Sequence, residues 1–419
     1  MVTRSGLSDY WQSPVAVAVC LLGLSVYISV VAILRFQRRD KMHASFNYHS
    51  RESFANMTLE DAQRIQKYLY ELEFPFTTQK ALEFALFRTY AIPTISSLLA
   101  KTTQLSDPSL ASKRVDDTRV IIMEMMGQEL GSSRALGAIA RMNYIHSLYQ
   151  KSGLISNDDL LYTLTLFALE PIRWVARYEW REFSSMERCA VGVYWKNIGD
   201  AMKINFTVLP SGNAGWKDGL DFLAEAEAWS MSYEARCMVP AACNKQVADE
   251  TTRLLLWRFP KHLLGLGRQA VSSLMDARLR DAMMYKKPYR IVSFAVMKSL
   301  WLRKHILRYL AFPRPEFLKF MPITKSERTG RMHKNSWDAD PWYVNGSLIN
   351  RWSLLAWVDW LSGRPIPGDL GGKFKPDGFL IGEVGPASMA GKGVSESEKD
   401  AELIKSQFGR GCPMAFGKT

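Results

Sequence analysis

Hydrophobic positions follow two regimes along the chain. The first is one unbroken run at 14–34, PVAVAVCLLGLSVYISVVAIL, without a charged side chain. About 20 apolar residues in a helix cross the ~30 Å hydrocarbon layer of a bilayer, so the run predicts a transmembrane helix. A cleaved signal sequence has a shorter apolar core, about 7–15 residues, followed by a small-residue cleavage site. Here Arg35, Arg38, Arg39 and Lys41 follow instead, against Arg4 and Asp9 before the run. The positive-inside rule then leaves 1–13 luminal and puts the body in the cytosol, with Tyr10 and Trp11 marking the far interface. On that topology the sequons at Asn56, Asn205 and Asn345 stay bare, since glycosylation is luminal.

The second regime begins after a basic, polar linker at 35–58. There apolar residues recur at spacings of three and four, the helical period. Thr58, followed by Glu60 and Asp61, opens the first element. The periodicity predicts helix over 60–74 and 78–99, broken at Pro75 and Pro93, then over 113–126 and 133–151, and over 158–183 with an interruption at Pro171. No sustained period-two alternation, no Asn-Gly hairpin between apolar runs and no internal repeat is present. Beyond Pro313 the chain turns to Pro, Gly and aromatic residues, with one more helix at 348–361. The expected fold is all-α, a helical domain at 59–312 with an irregular segment, 313–419, wrapped on it.

Composition narrows the picture. Across 419 residues, 47% hydrophobic and 12% aromatic side chains supply a sizeable core, which excludes a disordered chain. The net charge of +13 suits an anionic partner, but the charge is diffuse and no nucleic-acid motif accompanies it, so it reads as attraction to a membrane surface and not to nucleic acid. Cys20, Cys189, Cys237, Cys243 and Cys412 are odd in number and unpaired in spacing, as expected of reduced thiols facing the cytosol. P-loop, GxGxxG, HExxH, GxSxG and CxxC signatures are all missing, so the chemistry lies elsewhere.

His43, His49, His262 and His305 lie in polar or basic stretches and read as solvated. His146 stands apart. In SRALGAIARMNYIHSLYQKSG, Ile139, Met142, His146 and Tyr149 share one apolar face, and Gly153 ends the helix as a C-cap. Two readings remain, a core histidine with a backbone hydrogen bond or an axial ligand of haem iron. Upstream, in KRVDDTRV, Arg114 and Thr118 are one turn apart. They form either a surface face or a cavity wall on which the guanidinium holds a propionate or an oxygen species and the hydroxyl orients dioxygen. Near the C-terminus, FGRGCP around Cys412 partly matches the thiolate loop of haem monooxygenases. Only seven residues follow Cys412, too few for the helix that normally packs on the haem.

Several of these stretches together resemble a known family: LEFPF at 72–76, FALFRTYAIPTIS at 84–96, the Lys-Arg and Asp-Thr pairs of 113–118, RMNYIHSLYQKSG at 141–153, DDLLYTLTLFALEPIRW at 158–174, YEWR at 178–181 and GCPMAF at 411–416. The family is that of the fungal endoplasmic-reticulum-bound oxygenases typified by MpaB of mycophenolic acid biosynthesis, distantly similar to bacterial rubber (latex-clearing) oxygenases, and the resemblance covers most of the body. It implies a globin-like helical domain around haem b, with His146 as the proximal iron ligand and Arg114 and Thr118 on the oxygen-binding side. One departure stands out, because Asp117 takes the place of a Lys that precedes the Thr in the rubber oxygenases. Its carboxylate is a candidate base, a partner for Arg114, or a solvent-facing group.

The implied reaction uses dioxygen as co-substrate to cleave a C=C bond in the prenyl (farnesyl) side chain of a lipophilic meroterpenoid intermediate, at the endoplasmic reticulum membrane. Two alternatives stand beside it: a haem-thiolate monooxygenase using Cys412, and a non-enzymatic membrane-bound carrier or scaffold for haem or substrate.

Overall fold

The apolar run forms the first two thirds of helix α1 (Pro14–Ala44) in the computed structural model, which describes residues 14–408. Its apolar side chains are exposed along most of their length, as a lipid-facing helix requires. The helix does not stop at the expected linker but continues through Ala44. The body clasps this basic extension: Arg35 Nε donates to the Ala311 carbonyl at 2.9 Å, Arg38 pairs with Glu73 at 2.7 Å, and His43 Nε2 lies 3.2 Å from Glu187. Tertiary partners along three successive turns keep helical a stretch that composition alone reads as tether.

The core follows as α2 (Leu59–Tyr68), α3 (Pro75–Thr89), α4 (Pro93–Lys101), α5 (Pro108–Gly127), α6 (Ser133–Lys151), α7 (Asn157–Tyr178), α8 (Ser185–Ala201), α9 (Gly219–Cys237) and α10 (Ala242–Leu255). Side-chain caps set several starts: Thr58, Ser132, Ser156 and Ser184 each accept from a backbone N–H three residues on. Gly153, at φ +69°, terminates α6 in the left-handed region. Helix α3 lies along α7, α2 along α8, and α8 along α9. The α8–α9 approach is close enough that a Cβ at Gly192 would sit 2.0 Å from the Gly219 carbonyl oxygen.

Two elements depart from the expected pattern. The helix predicted over 60–74 widens to a π turn at Leu69–Glu73, which carries the Glu73 carboxylate to Arg38 and to the Tyr68 hydroxyl, 2.7 Å away. Helix α7 runs through Pro171 without breaking. Proline removes one intrahelical bond, and the tight packing of Leu169, Glu170 and Pro171 in the core holds the helix across the gap.

Three peripheral helices follow, α11 (Leu264–Ser273), α12 (Ala277–Ala282) and α13 (Arg290–Tyr309), the last packed beside α1. Beyond them the chain is largely irregular, as its composition suggests. It contains a short antiparallel hairpin, β1 (Ile323–Lys325) and β2 (Met332–Lys334), and the helix expected at 348–361 divides into α14 (Leu348–Arg351) and α15 (Leu354–Leu361). It also contains α16 (Val394–Phe408), which the Pro/Gly-rich context hides. The described residues are all-α in class, 66% helical.

This C-terminal segment is fastened to the core. Arg141 on α6, 1% exposed, donates to the carbonyls of Val384 at 2.9 Å, Lys392 at 2.6 Å and Met389 at 2.7 Å. Val120 and Met123 of α5 share an apolar cluster with Tyr343, Phe374 and Phe379.

Candidate functional site

Helices α3 to α8 enclose a cavity of about 1430 Å³, counting its open mouth. Helix α5 gives it Arg114, Thr118, Ile121, Ile122 and Met125, one stripe at spacings of three and four; α6 gives Met142, Ile145, His146 and Tyr149. Phe167 of α7 and Trp195 of α8 stack at 5.3 Å to close one wall. The residues expected from the sequence to carry chemistry, His146, Arg114 and Thr118, therefore face one space from two helices.

The His146 imidazole has no hydrogen-bond partner among the described residues, so the backbone bond expected of a core histidine is not made. Burial first, and the nearby Arg114 charge second, push its pKa down to about 4. At neutral pH it is an uncharged imidazole with a free lone pair on an apolar wall.

Arg114 Nη1 donates to Thr118 Oγ1 at 2.6 Å, and Thr118 Oγ1 donates to the Arg114 carbonyl at 3.0 Å. The threonine proton is thus committed to the backbone while its lone pair anchors the guanidinium, leaving the other Arg114 N–H groups for a bound molecule.

Asp117 lies on the far side of α5. It is 1% exposed and accepts from Lys113 Nζ at 2.6 Å and from the Tyr343 hydroxyl at 2.5 Å. It neither borders the cavity, nor binds Arg114, nor faces solvent. Consecutive residues sit about 100° apart on a helix, so Lys113 and Asp117 point to the C-terminal segment while Arg114 and Thr118 point to the cavity.

Among the further polar residues that line the cavity, Tyr90 and Asp159 carry no legible sequence signal. The Tyr90 hydroxyl has no hydrogen-bond partner among the described residues, and burial pushes its pKa up to about 12 against the opposing pull of Arg114, so it stays a neutral phenol. Asp159 is tied by Ser156, Thr94 and Tyr233 at 2.7, 2.7 and 2.8 Å, and its place in the capping box of α7 masks its position on the wall. Among the other histidines, His43 is not solvated but pairs with Glu187, and His305 Nδ1 lies 2.8 Å from the Trp301 carbonyl of its own helix. Cys412 and the GCPMAF stretch lie outside the described residues.

No family model matches the chain. Over 389 residues it is 45% identical to the ER-bound oxygenase mpaB' of Penicillium brevicompactum, with 92% of each chain covered. The chain belongs to the mpaB family of ER-bound oxygenases. The ER-bound oxygenase mpaB of the same species is 41% identical over 383 residues, covering 91% of this chain and 90% of the relative. The mpaB of Penicillium roqueforti (strain FM164) is 47% identical over 262 residues, 62% of this chain and 88% of the relative. As an mpaB-family member the chain is an oxygenase, and the one helix among the described residues that is long and apolar enough to cross a membrane agrees with association at the endoplasmic reticulum membrane.

In this mpaB-family chain a second chamber of about 1000 Å³, counting its open mouth, borders the first, with Leu86, Tyr90, Leu105, Thr118 and Ile122 lining both. Its far wall is an ion network: Arg119 contacts Glu83 at 3.0 Å and Asp116 at 3.2 Å, Lys80 contacts Glu83 at 2.8 Å, and Lys334 of β2 reaches Asp116 at 2.5 Å. The shared side chains thus separate a chamber lined by a neutral imidazole from one with a charged wall.

Proposed function

We propose that this oxygenase is haem-dependent, that His146 is its axial ligand, and that it cleaves a C=C bond in the prenyl side chain of a lipophilic meroterpenoid intermediate, with its body on the cytosolic face of the endoplasmic reticulum membrane. One observation carries the reading: a neutral imidazole, half-buried and without a hydrogen-bond partner among the described residues, lines an apolar cavity together with an arginine that has free N–H groups. Among the described residues, no three His, Cys, Asp or Glu side chains gather to hold a metal alone. An iron held at His146 would therefore take its remaining ligands from a porphyrin, whose apolar faces suit the aliphatic and aromatic side chains that line the cavity.

Haem bound there supplies dioxygen activation at iron. The chain supplies the rest. A ring nitrogen of His146 would hold the iron and would need no deprotonation at neutral pH. Arg114, fixed by Thr118, aims its guanidinium N–H groups where negative charge on oxygen or a propionate is stabilised. Tyr90, at the junction of the chambers, offers a neutral hydroxyl to the substrate. The aliphatic and aromatic walls take up an alkene chain and exclude water. Tethering by α1 concentrates the enzyme where a prenylated substrate partitions.

Absorption spectra of the full chain in detergent, oxidised and reduced, test the proposal beside His146→Ala. The expected outcome is a Soret band in the wild type that is lost in the variant, with helical content retained, and oxygen uptake by the wild type on addition of a prenylated phenol. A haem-free wild type after haem-supplemented expression overturns it. Haem without oxygen uptake points to a carrier, and haem lost in Cys412→Ala but kept in His146→Ala points to thiolate ligation.

A further inference from the structure

We infer that the body does not hang from α1 but rests on the bilayer, with α13 and the turn after it set into the headgroup layer of the leaflet where α1 emerges. This goes beyond the proposed function and does not depend on haem. On α13, Ile291, Phe294, Lys298, Trp301, Leu302 and His305 fall in one helical stripe. Ile291 is 77% exposed, Phe294 63%, Trp301 52% and Leu302 53%. The opposite face is the one that meets the body: Val292 is buried, Leu307 packs on the core and Arg303 donates to Glu179 at 2.9 Å. A stripe of large apolar and aromatic side chains directed away from the core needs an apolar partner.

The anchor says which partner. The turn after α13 is bonded to α1 carbonyl by carbonyl: the Tyr27 hydroxyl donates to Leu310 O at 2.6 Å, Arg35 to Ala311 O at 2.9 Å and Phe312 O at 3.3 Å, and Arg38 to Arg314 O at 2.5 Å. Tyr27 also packs edge-on against Phe312 with centroids 5.5 Å apart. Tyr27 lies inside the apolar run, two turns before its end at Leu34, about 10 Å along the axis at 1.5 Å per residue. The 310–312 turn is therefore held at the level of the span's last turns, where irregular backbone persists only if its polar groups are satisfied by protein. All three of its carbonyls are so satisfied.

Charge agrees with a lipid surface. No acidic residue occurs between Lys286 and Arg314, while Lys286, Lys287, Arg290, Lys298, Lys304 and Arg308 are basic. Lys298 Nζ sits 5.0 Å from the Trp301 ring centroid, a pairing suited to an aliphatic stem in the apolar layer and an ammonium among phosphates. The occupant is the phospholipid bilayer of the anchor's own membrane, not a second copy of the chain, since two such basic stripes repel.

The test uses the full chain in phospholipid nanodiscs, with Cys20→Ala, Cys237→Ser, Cys243→Ser and Cys412→Ser removing background labelling and Cys189 left in place because it is buried. A nitroxide is attached at Phe294→Cys, at Leu302→Cys, and at Glu398→Cys on the exposed face of α16. Docking predicts that dissolved oxygen relaxes the first two labels more than a water-soluble nickel chelate does, with the order reversed at Glu398→Cys. Equal access of the chelate to all three labels overturns the proposal, and dipolar broadening between labels at Phe294→Cys would show that two copies share this face instead. A second measurement on the otherwise native chain is quenching of tryptophan fluorescence by brominated phosphatidylcholine. The expected loss is smaller in Trp301→Phe than in wild type, and an unchanged loss counts against docking.

Discussion

Arg114 and Thr118 divide one task between them. The guanidinium presents the free donors, and the hydroxyl, its own proton given to the Arg114 carbonyl, holds the guanidinium in place. Arg114→Ala should lower turnover by about 10²-fold, the scale of one oxyanion-stabilising donor, with haem content unchanged in the Soret band. Thr118 is a positioning residue. Thr118→Val should reduce kcat by ~10-fold with KM little changed, and Thr118→Ser should restore it, because the hydroxyl's lone pair and not the methyl group holds Arg114. A Thr118→Ser variant as poor as Thr118→Val would assign the threonine to packing. Asp117 belongs to a different account. Asp117→Asn leaves Lys113 without its carboxylate and should cost about 2–3 kcal/mol in a denaturant titration. Its effect on kcat/KM should not exceed the loss of folded protein. The one-turn spacing of Arg114 and Thr118 was legible in KRVDDTRV. The fate of Asp117 was not, because its partner Tyr343 lies 226 residues away in sequence.

At the scale of elements, the join between anchor and body turns on the N-terminus of α8. Burial works against ionising Glu187, but hydrogen bonds from His43, Arg181 and the Ser184 N–H outweigh it and hold its pKa at about 2, below the ordinary 4.5. A carboxylate with a depressed folded-state pKa stabilises the native chain above pH 4.5, and that stability is lost as pH falls from 4.5 to 2. At 1.36 kcal/mol per unit this amounts to about 3 kcal/mol. Glu187→Gln should flatten the acid limb of the stability–pH curve by that amount and loosen α1 at His43. A variant that keeps the wild-type limb would show that another carboxylate governs it. The same elements show where periodicity is blind. It located helices α2 to α7 because their apolar faces repeat. It missed the continuity of α7 through Pro171, the π turn at 69–73 and the extension of α1, since each of these is held by contacts between elements.

At the scale of the whole molecule, the C-terminal segment acts as a strap across α5 and α6, the helices that carry Arg114, Thr118 and His146. Arg141 is five residues before His146 on α6 and holds three carbonyls of the strap. Arg141→Met should destabilise the chain by about 3 kcal/mol and expose 384–392 to proteolysis before helical circular dichroism is lost. Cleavage that begins only after global unfolding would show that the strap is held by other contacts. Helix α5 explains why such a strap is needed. One face lines the cavity and the other is apolar again, with Val120 and Met123 buried against Tyr343, Phe374 and Phe379, so the helix is covered on both sides.

The sequence by itself determined what depends on local pattern: the membrane span, from an uncharged run longer than a bilayer is thick; the all-α class, from a repeat near 3.6; and the shared face of Met142, His146 and Tyr149, from their spacing. It also carried the family resemblance that the 45% identical relative bears out. Only the tertiary structure decided what depends on distance in the chain. It set which faces became cavity and which became core, paired Asp117 with Tyr343, brought Tyr90 beside Arg114, and laid 310–314 against α1. These pairings are made by side chains dozens to hundreds of residues apart, and no period within a single helix records which partner folding will bring to it.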